Sequence, residues 1–248
     1  MDTEIYTADI IANLTQVKQR IQIAAGLAGR AKEDVQLLLA TKTVPAEKIK
    51  IAVSAGETLT GENKVQELKQ KDYLLGTLPV QRHFIGHLQT NKIKEVLKYV
   101  SCIQSLDRAE LAEKLDSRLQ FEGRSMDVFV QVNTSFEESK FGTHPDNAIK
   151  LLEKVRAYGT MRIMGLMTIG LFDADPEKVR PSFRLLRDIR DSALREGLLQ
   201  PGGAHLSMGM SGDLETAIEE GATIVRVGTS VFGKRQYPDS YYWNEKSN

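Results

Sequence analysis

Apolar and polar positions along the chain follow two different periods. Residues 10–27 place apolar side chains three and four apart, which predicts an amphipathic helix that covers a core. Eight short apolar runs follow, and each leads into a helical pattern except the last, which is followed only by a short turn. The runs predict strands at residues 35–40, 58–60, 83–87, 102–106, 128–133, 162–168, 205–208 and 224–227.

Strands that alternate with helices indicate a parallel sheet with helical crossovers. Eight such units within 248 residues are typical of a closed (β/α)8 barrel. Neither G-x-G-x-x-G nor G-x-x-x-x-G-K, the phosphate-binding motifs of open sheets, follows the first strand. We therefore predict an α/β fold, a single TIM barrel over residues 1–235 with an extra N-terminal helix and no C-terminal β domain, followed by a polar tail at residues 236–248.

The charge balance and the cysteine count narrow the class of protein. The 33 basic and 33 acidic side chains cancel, which argues against electrostatic binding of nucleic acid or of an anionic membrane. Cys102 is the only cysteine, so neither an internal disulfide nor a cysteine-rich metal site is expected, and its apolar neighbours predict a small buried side chain. The acidic N-terminus and the lack of a long apolar run predict a soluble, cytosolic protein.

Lys42 comes directly after the apolar first strand, before Pro45 opens the next helix. In a barrel, the carboxyl ends of the strands form the rim at which ligands bind. An amine that apolar neighbours desolvate loses part of its preference for the charged form, as a Schiff-base lysine requires. The plainer alternative is a lysine that extends from the strand end into water.

The loops after the seventh and eighth strands are rich in glycines and hydroxyl groups. Residues 207–213 contain two serines and two glycines just before a helix, and Gly228-Thr229 follows the last strand. Barrels often bind a phosphate at these two loops, through backbone N–H groups and helix N-termini. Alternatively, Ser211 or Asp213 only caps its helix. We expect this phosphate site to lie on the side of the barrel opposite Lys42.

Arg226 lies between two valines in the last strand, where a permanent charge is costly unless a partner satisfies it. A structural salt bridge is one explanation, and a ligand is the other. The amine, the phosphate site and the arginine together match pyridoxal 5′-phosphate (PLP), which has an aldehyde, a phosphate and a ring nitrogen. A sugar-phosphate enzyme would use the first two features but would leave Arg226 unexplained.

The sequence leaves the roles of two histidines and one loop undecided. His83 and His87 are four residues apart and are predicted to share one face of the third strand, but no third ligand for a zinc site is evident. His87, nearer the rim, is either a ligand contact or a core histidine. Lys140 and Gly142 follow the fifth strand, and a solvated loop is a simpler interpretation of them than a ligand contact.

Six motifs in order give a resemblance to a known family. They are Ala40-Thr41-Lys42, Gly61-Glu62-Asn63 with Gln66-Glu67, residues 83–92, Gly165-Leu166-Met167-Thr168, residues 206–211 with Asp213, and Arg226-Val227-Gly228-Thr229 with Phe232-Gly233. From about residue 10 to residue 235 the chain resembles the YggS/PROSC family, the pyridoxal-phosphate-binding proteins also called PLP homeostasis proteins.

The resemblance implies a barrel like the N-terminal domain of alanine racemase, with Lys42 as the Schiff-base lysine. It also implies Asn63 near the cofactor, Arg226 facing the pyridine nitrogen, and phosphate contacts from the two late loops. No catalytic residue and no metal ligand is predicted. The full set of predicted cofactor-binding residues is Lys42, Asn63, His87, Met210, Ser211, Arg226, Gly228 and Thr229.

Two functions fit these residues. An amino-acid racemase of this type needs a second base, which alanine racemase takes from an additional β domain, and little chain follows Gly233 to form one. Arg226 would hydrogen-bond the ring nitrogen without giving up its proton, which leaves the ring a weak electron sink. We therefore predict a non-catalytic PLP carrier that holds the cofactor as a Lys42 imine, with a PLP-dependent racemase as the alternative. We expect a monomer that binds neither nucleic acid nor membrane and passes PLP to apo-enzymes.

Overall fold

Eight parallel strands close into a barrel in the computed structural model, which describes residues 2–233 and the side chains of residues 6–233. Each strand pairs with the next one along the chain, and the last pairs with the first. The predicted (β/α)8 barrel, its extra N-terminal helix and the presence and order of all eight predicted strands are confirmed. The tail at residues 236–248 lies outside the described residues, so the boundary at residue 235 stays a prediction. The strands are β1 (Gln36–Ala40), β2 (Leu59–Glu62), β3 (Gln81–Phe84), β4 (Cys102–Leu106), β5 (Met126–Gln131), β6 (Met161–Met167), β7 (His205–Ser207) and β8 (Ile224–Val227).

Helices connect the strands as the alternating pattern predicts. The longest connecting helix begins where the Asp175 carboxylate accepts the N–H of Glu177 and Pro176 occupies the first helical position. Only one short helical turn follows β8 within the described residues, in agreement with the sequence. The helices are α1 (Asp2–Leu27), α2 (Ala46–Ser54), α3 (Val65–Leu75), α4 (Ile93–Val96), α5 (Ala109–Glu122), α6 (Ala148–Arg156), α7 (Pro176–Arg195), α8 (Leu214–Glu219) and α9 (Thr229–Phe232).

The barrel wall separates two layers of apolar side chains. Outward-pointing side chains pack beneath the helices and form the larger cluster. Strands that are buried on both faces read as continuous apolar runs, which is why the hydrophobic pattern located them. Cys102 is buried in the inner layer, as predicted. The inner layer consists of Leu38, Leu59, Cys102, Phe129, Met167 and Ile224.

Helix α1 lies outside the repeating units and packs across α2, α8 and α9. It begins earlier than the predicted residue 10, and its buried stripe, from Ile10 and Leu14 to Ala24, faces these three helices. Arg20 donates two hydrogen bonds to the Glu215 carboxylate and one to the carbonyl oxygen of Ser211. The helix thereby supports the loop after β7 from behind. None of the helices in residues 2–233 is long and apolar enough to cross a membrane.

Strand β3 ends at Phe84, three residues before the predicted end. At Gly86 the backbone lies so close to the loop after β2 that a Cβ would come within 2.2 Å of the Asn63 carbonyl oxygen. This contact ends the strand, since the backbone there packs on the neighbouring loop. The prediction that His83 and His87 share a strand face is therefore wrong. His83 is buried in β3, and His87 lies in the loop beyond it.

Candidate cofactor-binding site

Lys42 lies two residues beyond β1, at the carboxyl rim of the barrel. Strand side chains alternate between the two faces, and Leu38 belongs to the inner layer. Lys42 continues the inward phase of Leu38 and Ala40, whereas Thr41 points outward and bonds to Glu62. Lys42 is half-buried. The predicted position of the amine, at the mouth of the barrel, agrees with this geometry.

A cluster of ionic side chains lies behind Lys42, between the barrel wall and α3. The ammonium group of Lys71 donates to Glu62 Oε1 at 2.6 Å, to Glu67 Oε2 at 2.7 Å and to the carbonyl oxygen of Thr41 at 2.8 Å. Burial raises the pKa of Glu62 to about 7, against the opposing effect of the Lys71 ammonium. In the sequence, Glu62 and Glu67 stand out only as part of a motif, and nothing distinguishes Lys71 from an ordinary helix lysine.

The two predicted phosphate loops lie next to Lys42 and not across the barrel from it. The prediction of an opposite position is wrong because the barrel closes by pairing β8 with β1, with Leu38 beside Arg226. A Cβ on Gly228 would come within 2.8 Å of the carbonyl oxygen of Ala40, so only glycine lets the two strand ends approach this closely. One compact ligand can therefore reach both Lys42 and the loop after β8.

The structure brings the two late loops together. The hydroxyl oxygen of Ser211 accepts the N–H of Ser230, at 3.4 Å, in the first turn of α9. Gly209 has a φ of 90° and a Cβ there would lie 2.4 Å from Ala217, so glycine is required at this turn. Asp213 accepts the N–H of Met210, which fixes the turn internally. Burial raises the pKa of the Asp213 carboxyl.

The predicted ligand contacts in these loops are accessible. Met210, Ser211 and Gly228 are half-buried, and Thr229 is exposed. Small side chains and a glycine backbone leave room at this point for a tetrahedral anion and offer it hydroxyl and N–H donors. The capping alternative is wrong for Asp213, which is the N-cap residue of α8 but makes no side-chain hydrogen bond to that helix, since its carboxylate accepts from Met210 within the turn.

Arg226 points into the barrel and is held by neutral partners. Its Nη1 donates to Ser207 Oγ at 2.9 Å, and its Nη2 donates to the carbonyl oxygen of Thr168 at 2.7 Å. None of the ion pairs among the described residues includes Arg226, so the salt-bridge explanation is wrong. Burial lowers the pKa of Arg226 to about 10, partly offset by the Asp213 charge, and the group stays protonated at neutral pH.

A directional chain of hydrogen bonds leads from Arg226 across the barrel. Arginine can only donate, so Ser207 accepts from it and uses its own proton to donate to Gln104 Oε1 at 2.7 Å. The amide of Gln104 then donates to His83 Nδ1 at 2.8 Å, which leaves the proton of the imidazole on Nε2. The permanent charge of Arg226 thus dictates the orientation of every side chain as far as His83.

His83 makes the stability of the fold depend on pH. Burial lowers its pKa to about 4, so folding disfavours its charged form. The unfolded chain takes up this proton below about pH 6.5, and stability is therefore lost as pH falls towards 4, by on the order of 3 kcal/mol.

We expect His83→Gln, which keeps an acceptor for Gln104, to flatten this part of the stability profile in denaturant titrations at pH 7, 5.5 and 4. The exposed His144 offers the matched control His144→Gln, and equal profiles for both variants would contradict the assignment.

Asn63 and His87 lie on the rim beyond β2 and β3, where their loops touch at Gly86. Asn63 Oδ1 and His87 Nδ1 are buried atoms without a hydrogen-bond partner. The His87 ring stacks on Phe141 with centroids 3.7 Å apart, and its Nδ1 lies 3.6 Å from Asp107 Oδ2. Unpaired buried polar atoms at a rim are typical of a ligand site, which fits the predicted role of Asn63. His87 faces the loop after β5, and its cofactor contact stays a prediction.

The loop after β5 is fixed to its neighbours more firmly than a solvated loop. Lys140 donates to the carbonyl oxygen of Gly170 at 2.7 Å and pairs with Glu137. At Gly142, φ is 130° and a Cβ would meet the backbone of Asn133 at 2.5 Å. The solvated interpretation is therefore wrong for these two residues. Residues 2–233 contain no group of three or more His, Cys, Asp or Glu side chains that could hold a metal ion.

Comparison with known proteins shows which family the chain belongs to. The sequence matches the alanine racemase N-terminal domain family over residues 5–236. A pyridoxal phosphate homeostasis protein from Aquifex aeolicus is 46% identical over 225 residues, which are 90% of this chain and 97% of the relative. PipY of Synechococcus elongatus, solved with PLP bound, has a TM-score of 0.75 and 32% identity over 88% of this chain and all of its own. A Clostridium difficile alanine racemase, 14% identical with a TM-score of 0.73, shares the fold over 94% of this chain and 58% of the racemase.

Proposed function

The chain belongs to the family of pyridoxal phosphate homeostasis proteins, which have the alanine racemase N-terminal fold, and from this we propose that it binds PLP through Lys42 and holds it for intracellular use. The family resemblance seen in the sequence is confirmed. The cofactor itself is supported by the PLP-bound PipY and by the homeostasis relatives.

One observation carries this proposal: the closed barrel places the Lys42 strand directly beside the strand of Arg226 and Gly228. Lys42 would hold PLP through its amine, and PLP would supply the aldehyde that reacts with this amine with loss of one water. The loops at Ser211 and Gly228 would bind the phosphate through backbone N–H and hydroxyl groups. Arg226 would donate to the ring nitrogen from inside the barrel, and Asn63 would contact the cofactor from the rim.

The residues of this site are better suited to holding PLP than to catalysing racemisation. Arg226 is a buried permanent cation whose contacts fix it as a donor. It can orient the ring but cannot readily transfer its proton. The tyrosines at positions 237, 241 and 242 lie outside the described residues. The homeostasis relatives match 90% of the chain, whereas the racemase is similar at the level of the fold.

Chirality and transfer measurements distinguish the two functions. We expect the loaded protein to convert no L-amino acid to its enantiomer at an enzyme-like rate, on the order of 1 per second or above. Chiral chromatography after incubation with a panel of L-amino acids checks this, with Lys42→Ala as the blank. Steady turnover at such a rate would overturn the carrier function.

Delivery is tested by activating an apo-enzyme that requires PLP. We expect the loaded protein to restore its activity in the presence of a carbonyl reagent that traps free PLP, while the same amount of free PLP fails to do so. Equal inhibition of both arms would show that bound PLP passes only through solution, and would contradict delivery by contact.

A further inference from the structure

Lys71 is a buried lysine that the proposed function does not use. Its exposed fraction is only 8%, although lysine is among the residues that are almost never buried without a partner. Each of the three ammonium protons has an acceptor, in Glu62, Glu67 and the Thr41 carbonyl. Because its donors are saturated, Lys71 is not a second amine available to an aldehyde. Its contacts point to a different task.

These contacts hold both peptide groups that flank Lys42. The Thr41 carbonyl, which accepts from Lys71, belongs to the peptide bond that precedes Lys42. The N–H of Thr43, which belongs to the peptide bond after Lys42, donates to Glu67 Oε2 at 2.6 Å. The same Glu67 oxygen binds Lys71, so one cluster fixes the backbone on both sides of the Lys42 Cα.

The backbone at this point needs such support. Thr43 has a φ of 65°, in the left-handed region that β-branched residues rarely adopt. A conformation of this kind persists only when surrounding contacts determine it. Glu67 supplies one of these contacts, and the Thr41 hydroxyl adds another through its bond to Glu62 Oε1 at 2.7 Å.

The cluster lies behind Lys42 and outside the cofactor contacts. Glu62, at the end of β2, and Lys71, on α3, face the gap between the barrel wall and the helix, whereas Lys42 follows the inward phase of its strand. Glu67 and Lys71 are four residues apart on α3 and therefore lie on one face of the helix. The helix presents this ion pair to the turn that carries Lys42.

We propose that Lys71, together with Glu62 and Glu67, is a positioning cluster that fixes the Lys42 turn so that its amine meets the aldehyde of PLP in reactive geometry. This rests on the proposed function. Displacements of about 1 Å at a reacting group can cost on the order of a hundredfold in rate. The cluster thus acts on covalent capture, while the phosphate loops and Arg226 act on binding.

Stopped-flow absorbance and a non-reacting analogue separate these two steps. Pyridoxine 5′-phosphate has the ring and the phosphate but an alcohol in place of the aldehyde, so it binds without covalent capture. We expect Lys71→Met to slow the rise of the bound-PLP absorption band at least about tenfold, with less than about a twofold change in analogue affinity. The control is Lys69→Met, the same substitution on an exposed position of α3, which should behave like the wild type.

Each outcome decides the inference. Unchanged capture in Lys71→Met would overturn it, and so would an equal loss of analogue binding, because the residue would then support the whole site. Should thermal unfolding show that Lys71→Met does not fold, Glu67→Gln provides the test, since it keeps an acceptor but removes the charge, and a smaller slowing of the same kind is expected. A wild-type protein that fails to capture PLP would refute the proposed function itself.

Discussion

Lys42→Ala is expected to abolish the visible absorption band of the PLP-loaded protein and the attachment of PLP that borohydride makes permanent. The substitution removes the amine of the turn after β1, which follows the inward phase of the strand at the rim of the barrel. Lys71, the nearest alternative on α3, has its three donors engaged and cannot substitute. Absorbance of the purified protein and mass spectrometry after borohydride treatment measure the two effects.

The matched control for this prediction is Lys64→Ala. Lys64 is an exposed lysine in the loop after β2, next to Asn63, and its loss leaves Lys42 in place. We expect this variant to keep the full band and the mass increase at Lys42. A band that survives in Lys42→Ala, or a PLP adduct found on another lysine, would disprove the central assignment. Residual binding without the band is compatible with it, since the phosphate loops and Arg226 remain.

The sequence was sufficient to predict the fold and to single out Lys42 and Arg226. Strands buried on both faces give continuous apolar runs, so their number and order could be read directly. Lys42 and Arg226 stood out because a charge adjoining or interrupting such a run is costly without a purpose. The proximity of Lys42 and Arg226 could not be predicted in the same way. It depends on the closure that pairs β8 with β1, which brings the loop after β8 beside Lys42 and not to the predicted opposite side.

The partners of these residues were harder to find. Glu67 and Lys71 look like an ordinary solvent-exposed pair on a helix, and only the packing of α3 against the end of β2 buries them. Gln104 gave a detectable signal, because an amide inside a fully buried strand needs a partner, but the sequence does not say which one. The end of β3 depended on a backbone contact at Gly86 that no hydrophobic pattern records.

Lys42 and Arg226 are supported by different kinds of partners at the mouth of the barrel. In the proposed function Lys42 reaches the aldehyde with its amine, and the bonds behind it use charged partners in a cluster covered by α3. In the same proposal Arg226 offers donors to the ring nitrogen from the interior, and its own bonds use a hydroxyl and a carbonyl. Its hydrogen-bond partners are neutral and the Asp213 charge offsets burial only in part, so the guanidinium keeps charge to offer a ligand acceptor. This difference fits the proposed roles, in which the Lys42 amine reacts with the ligand and the Arg226 cation only binds it.

Arg226→Met is therefore expected to weaken PLP binding much more than it changes the stability of the ligand-free protein. Removing a charged donor costs about 1.5–3 kcal/mol per hydrogen bond, which is roughly a tenfold to hundredfold loss of affinity. In the ligand-free fold, two effects oppose each other. The carbonyl oxygen of Thr168 loses its donor, but a cation whose pKa burial has lowered to about 10 is also removed, which relieves on the order of 3 kcal/mol. The net change in the free energy of unfolding should stay within about 2 kcal/mol.

Titration with pyridoxine 5′-phosphate and denaturant unfolding measure the two quantities separately. Arg162→Met is the matched control, because Arg162 is also a strand arginine but pairs with Asp127 at the opposite, amino end of the barrel and is largely exposed. We expect this control to bind the analogue like the wild type. Capture of the aldehyde by Lys42 should still occur in Arg226→Met once PLP is saturating, because the positioning cluster behind Lys42 is intact. Equal affinities of the two arginine variants would show that Arg226 satisfies Ser207 and Thr168 only, and that the ring nitrogen is bound elsewhere.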